Sequence, residues 1–247
     1  MTFKVNLGLV YFVLPFISVV ENKASLICTL LFGKSEYKIK IKNTIVKIPR
    51  TKFGSLRDLL ACLTYSISYS LDSSGNLEIS FDEHSRFRIS LNELSFEDAN
   101  LLELLHFGSK YCANFLNDVS FPDIRKQTYR IISENGKKII ITSNGIRFFL
   151  DSIHAGNTII ETFVREIHSI NPKIDWNNKI VVDVGAECGD TPLYFASMGA
   201  NVFAFEPLKK HFEFFKKNLS LNPTLSKKNL TPLDVIIIFL LFSEIIL

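Results

Sequence analysis

Gly185-Ala186-Glu187-Cys188-Gly189-Asp190 is the stretch whose residue types and spacing could do chemistry. Gly185 and Gly189 let the main chain approach a ligand where a side chain would collide. Glu206, followed by Pro207, lies 21 positions after Gly185 (206 − 185). A carboxylate at the tip of a neighbouring strand accepts both hydroxyl protons of a ribose. The plainer alternative is a glycine turn that only packs a helix against a strand, with Glu206 as a surface acid. The joint occurrence of the loop and the acid at this separation weighs against it. A pyrophosphate site wants G-x-G-x-x-G at a helix start, whereas the spacing here is D-x-G-x-x-x-G with Glu187 in its middle. A carboxylate repels a pyrophosphate and tolerates or attracts an ammonium and a sulfonium. The loop charge therefore favours S-adenosylmethionine over NAD.

Such a loop needs rigid neighbours, and the flanking sequence predicts them. Ile180-Val181-Val182-Asp183-Val184 is short, apolar and β-branched without polar alternation, the pattern of a strand buried on both faces of a parallel sheet. A helix is expected over 191–198, with Pro192 near its first position and Gly199 at its end. A second buried strand is expected over 201–205 and an amphipathic helix over 208–221. Strand, glycine turn, helix, strand, acid and helix form a βαβα unit, and a right-handed crossover sets both loops at the carboxyl ends of adjacent strands.

The residues from Val181 to Thr191, then Leu193-Tyr194-Phe195-Ala196, then Val202-Phe203-Ala204-Phe205-Glu206-Pro207 resemble the FkbM-type methyltransferases. Asn144-Gly145-Ile146-Arg147-Phe148 and the helix preceding the glycine loop are similar too, so the likeness covers residues 144–222. It implies an α/β fold, an incomplete Rossmann-like class I methyltransferase sheet over 126–247, while the strand alternation and helical spacing of residues 1–125 predict a preceding α+β region. It implies S-adenosylmethionine as cofactor and methyl transfer, usually to a hydroxyl oxygen, on a small molecule or glycan. Asp183 would orient the loop and help hold the methionine amino group. The backbone at Gly185, Ala186 and Gly189 would line the cofactor, and Glu206 would bind the ribose. The family usually has Asn where Glu187 stands. No catalytic base is nominated. His154, His168 and His211 are expected as ordinary helix-associated residues, and Trp176 as a packing anchor.

The family's later acidic motif, a D-x-E-G-like stretch on a fourth strand, is missing, and truncation after the second strand–helix unit is the expectation. Without its later neighbour the first strand has an open edge, a route to self-association. The apolar residues 235–242 could cover that edge as a surrogate strand. A non-catalytic remnant and a membrane-associated protein are the alternative outcomes.

The remaining sequence excludes several classes. A net charge of +3 on 247 residues does not argue for nucleic acid. Lys38, Lys40 and Lys42 alternate with apolar residues as the wet face of a strand. Cys28, Cys62, Cys112 and Cys188 have neither metal-ligand spacing nor a disulfide pattern, and no metal site is expected, which fits a reducing, cytoplasmic setting. Residues 5–20 are uncharged but short and interrupted by Pro15, so a buried element is expected rather than a membrane span. A hairpin is expected over 37–48. A helix capped by Ser55 should carry Leu56, Leu59, Leu60, Leu63 and Ile67 on one face. Alternating strands are expected around Leu77, Ile79 and Phe81, and around Phe87, Ile89 and Leu91. A second helix should start at Ser95 and run to Phe115. Phe121-Pro122-Asp123 marks a boundary. A three-stranded meander over 129–149 is expected to turn at Asn135-Gly136 and Asn144-Gly145. Thr158 and Glu161 are expected to form a capping box for the helix that Asn171-Pro172 stops.

Overall fold

The computed structural model describes residues 7–32, 35–81, 86–111, 119–120, 128–164, 167–168, 174–228 and 230–234. The chain is mixed α/β and forms two compact units, Met1–Lys126 and Gln127–Leu247. The expected boundary at Phe121-Pro122-Asp123, the end of the second helix at Phe115, the stop at Asn171-Pro172 and the run 235–242 lie outside the described residues.

In the first unit, α1 (Leu7–Val13) leads into a 3-10 turn, Leu14–Val19, with Pro15 at its start, and then α2 (Lys23–Phe32). Among the described residues no helix is long and apolar enough to cross a membrane. β1 (Glu36–Ile41) and β2 (Thr44–Pro49) pair antiparallel around Lys42-Asn43, both at positive φ, so Lys42 belongs to the turn and not to the strand face. Tyr37, Ile39 and Ile41 are buried while Lys38 faces water. α3 (Phe53–Tyr65) starts two residues before Ser55 and has Lys52 at its N-cap position without a side-chain cap. Leu56, Leu59, Leu60 and Leu63 are buried on it, whereas Ile67 lies beyond its end and is exposed. β3 (Ser68–Leu71), β4 (Asn76–Ser80) and β5 (Arg86–Ser90) form an antiparallel sheet. α4 (Phe96–Tyr111) is capped by Ser95, whose Oγ accepts from the Asp98 amide at 3.0 Å and donates to its carboxylate at 2.8 Å.

A short strand, β6 (Val119–Ser120), closes the described part of the first unit. In the second unit, β7 (Thr128–Glu134), β8 (Lys137–Ile141) and β9 (Arg147–Phe149) pair antiparallel in that order. The expected three-stranded meander is therefore present. Its second turn departs from the expected type. Gly145 alone has positive φ there, and Thr142 closes a longer loop by pairing with Ile146 at 2.9 Å. The helix predicted from Thr158 is a π-helical segment, Gly156–Val164. Thr158 is inside it, donating its amide to His154 O at 2.7 Å, and so cannot act as the N-cap.

The element that carries the candidate site is a three-stranded parallel sheet, β10 (Ile180–Val184), β11 (Asn201–Glu206) and β12 (Leu230–Asp234), in the order β10-β11-β12. α5 (Asp190–Ser197) joins the first pair; α6 (Lys209–Ser220) and α7 (Pro223–Lys228) join the second. Both connections step the same way across the sheet, so right-handed crossovers put these helices on one face. Val202, Ala204 and Glu206 point into that covered side and are buried. The opposite side corrects the expectation of two buried faces: Ile180, Val182 and Val184 are exposed, and Phe203 beside them is 39% exposed. Among the described residues β10 has β11 on one side and no strand on the other.

Candidate functional site

β10 and β11 are in register from Ile180↔Asn201 to Val184↔Phe205, so the glycine loop and Glu206 leave the sheet side by side. The Phe205 carbonyl accepts two loop amides, Gly185 N at 2.8 Å and Ala186 N at 3.0 Å. One residue further along β11, the Glu206 carboxylate accepts the Glu187 amide on Oε2 and the Leu208 amide on Oε1, each at 2.7 Å. The acid is 3% exposed, and both of its oxygens are engaged by main chain. An ionised carboxylate offers about four acceptor positions, so these two amides do not exhaust it.

The two glycines serve different ends. At Gly185, φ is +92° and a Cβ would meet none of the described residues within 4 Å, so the bend is open on that side. At Gly189, φ is +88° and a Cβ would overlap the ring of Phe215 on α6. The close approach expected of Gly189 is therefore to an aromatic side chain of the core, and Gly189 also occupies the N-cap position of α5. Ala186 is buried, with its carbonyl accepting Gly189 N at 2.7 Å. Glu187 has φ +45°, a left-handed backbone that Asn tolerates far better than Glu. Its carboxylate is half-exposed, with His154 Nε2 at 3.8 Å.

Asp183 lies on the covered side of β10. Burial, reinforced by the Asp190 carboxylate and opposed by His168, pushes its carboxyl up to about 6. Its Oδ2 is buried without a hydrogen-bond partner among the described residues. A buried acceptor in that state is costly, and a cationic donor would satisfy it. Asp190, at the start of α5, is raised by burial too, against a 2.6 Å hydrogen bond from Thr162 Oγ1. Cys188 is a buried thiol pushed far up by burial, 3.2 Å from Thr158 Oγ1, and is no nucleophile.

Several residues of the site were not singled out by sequence. Asn218 on α6 is fully buried: Oδ1 accepts Phe149 N at 3.1 Å and Ser152 Oγ at 2.9 Å, while Nδ2 donates to Cys188 O at 3.0 Å. One turn on, the Asn222 amide accepts Arg147 N at 3.0 Å and donates to Arg147 O at 2.9 Å. The two amides replace a neighbouring strand along β9, and their four-residue spacing, one in the last turn of an amphipathic helix and one just beyond its end, is the available signal. His168, expected as an ordinary helix residue, has Nε2 3.3 Å from Thr191 Oγ1. His211, expected in solvent, is half-buried with Nδ1 3.9 Å from Glu206 Oε1. Trp176 packs on Phe195 with ring centroids 4.7 Å apart, as a packing anchor should. No group of His, Cys, Asp and Glu among the described residues could hold a metal ion.

Neither a protein-family model, nor a curated protein, nor a solved structure matches this chain.

Proposed function

We propose that the second unit binds S-adenosylmethionine at the carboxyl edge of β10 and β11, and that it belongs to a methyl-transfer system acting on a hydroxyl group of a small molecule or glycan. The observation that carries this reading is the open, left-handed bend at Gly185 beside the tethered Glu206. Three parallel strands with their loops at one edge are what a Rossmann-like half-site requires, and ligands sit at that edge in open α/β sheets. The cofactor supplies an electrophilic methyl group. The chain's own residues bind and orient: Gly185 presents bare main chain, Glu206 keeps two acceptor positions for the ribose, and Asp183 Oδ2, without a partner among the described residues, suits the methionine ammonium. Gly189 and Ala186 hold the bend in place from behind. Asp183 and Glu206 both oppose a pyrophosphate at this edge, which supports a cationic ligand over a dinucleotide.

A second reading rests on the Glu206 oxygens, both already bound to main-chain amides. In it the acid is only a latch that closes the loop on β11, in a chain without turnover. Titration calorimetry with S-adenosylmethionine and S-adenosylhomocysteine separates the two. Micromolar binding that Glu206→Ala abolishes supports the cofactor site. Folded protein that releases no heat with either ligand sinks it and leaves the latch.

A further inference from the structure

Where β2 runs into α3, the first unit gathers buried donors that have no acceptor. A 3-10 turn, Arg50–Lys52, joins the two elements, and the Arg50 amide donates to Ser35 O at 3.0 Å. Arg50 Nη1 is buried without a hydrogen-bond partner among the described residues, and so is the Tyr37 hydroxyl. Tyr37 is 0% exposed, and its ring centroid lies 6.1 Å from that of Phe53, the first residue of α3. Burial raises the Tyr37 phenol and the Arg50 charge opposes the rise, so the guanidinium is near enough to act on the hydroxyl. Buried polar groups are nearly always paired, and leaving a charged donor unpaired is costly.

The chain's own acids are engaged elsewhere. Among the described residues of this unit, Glu36 pairs with Lys38, and Asp58 with Arg57 and His106. Lys52 donates to the Leu94 carbonyl, which leaves its charge uncompensated. α3 has no side-chain cap and no acid in its first turn, so nothing opposes the positive end of its dipole. A Cβ at Gly54 would meet none of the described residues within 4 Å, so a ligand has room beside the first-turn main chain.

We propose that Tyr37, Arg50, Lys52 and the Gly54-Ser55 start of α3 form a binding site for a phosphate group. The side chains and main chain here all offer donors, and Arg50 and Lys52 add cationic charge. That set suits a tetrahedral oxyanion with several free oxygens better than a carboxylate with two. The buried guanidinium and hydroxyl then gain the acceptor that the chain does not supply. The site is independent of what the glycine loop binds.

The test is titration calorimetry on the full chain at matched ionic strength. Inorganic phosphate, phenyl phosphate and phosphatidic acid in phosphatidylcholine vesicles present the same group as free ion, soluble ester and lipid headgroup, and the tightest of them names the source. At least one should bind with Kd below about 1 mM, and acetate about tenfold more weakly than it. Tyr37→Phe should weaken that binding about fivefold while the Tm without ligand holds or rises, because an orphaned hydroxyl is removed. Arg50→Met should abolish it. Folded protein that binds none of the three probes, binds acetate equally well, or binds undiminished in both variants overturns the proposal.

Discussion

Glu206 Oε2 holds the amide of Glu187 at 2.7 Å, across the gap between the tip of β11 and the loop after β10. The amide belongs to a residue at φ +45°, so the acid stabilises a backbone turn that the Glu side chain itself disfavours. Asn or Gly at this position keeps the amide and removes most of the strain. Glu187→Asn should therefore raise stability by ~0.5–1 kcal/mol, read as an increase in Tm with cofactor affinity kept. A lower Tm would mean that the contact with His154 outweighs the backbone term.

The contrast between the two glycines gives a paired experiment. Gly189→Ala drives a methyl group into the Phe215 ring at positive φ, and should cost ~2–5 kcal/mol. Gly185→Ala meets open space and should cost only ~1–2 kcal/mol of backbone strain. The proposed site reverses the order for binding: Gly185→Ala should weaken S-adenosylmethionine at least tenfold in calorimetry on folded protein. Unchanged affinity in that variant would remove Gly185 from the ligand surface.

Asn218 ties three segments together, and the cost of losing it should exceed that of an ordinary surface amide. Asn218→Ala leaves the Phe149 amide, the Cys188 carbonyl and the Ser152 hydroxyl without this partner in a buried setting. The expected loss is ~3–5 kcal/mol in denaturant unfolding. A loss below about 1 kcal/mol would show that other groups or water replace the amide readily.

The elements around the glycine loop were legible because each has a local cause. The β-branched run fixes β10, Pro192 and Gly199 bracket α5, and the separation of Gly185 from Glu206 matches one crossover. What failed was set by tertiary neighbours. Whether Val182 and Val184 are buried depends on what lies over the sheet, and the run itself is the same for one covered face or two. β12 escaped notice because Pro232 sits in it, opposite Ala204; proline marks an edge strand and breaks the usual strand pattern. Thr158 and Ser55 carry the chemistry of caps, yet each lies inside its helix, where packing moved the start upstream. The role of Asn218 was hidden for the same reason, since its partners lie 30 to 69 residues away in sequence.

Asp183 makes the fold and the proposed site respond to pH in opposite directions. Its folded carboxyl titrates at about 6 against an ordinary value of 3.8, mainly because burial disfavours the charge. Between these values the folded chain holds more proton than the unfolded one, so this group's contribution to stability falls as pH rises from about 4 through 6. Full burial would make that ~3 kcal/mol, and screening at a half-buried group brings it to about 1–2 kcal/mol. Asp183→Asn cannot ionise and should lose less stability than the wild-type chain between pH 4.5 and 7.5. Parallel Tm profiles of the two proteins would overturn this assignment. Binding should run the other way, because an ammonium on the ligand favours the ionised carboxylate. Affinity for S-adenosylmethionine should climb as pH passes 6 in the wild-type chain and stay flat there in Asp183→Asn, measured by calorimetry at matched ionic strength.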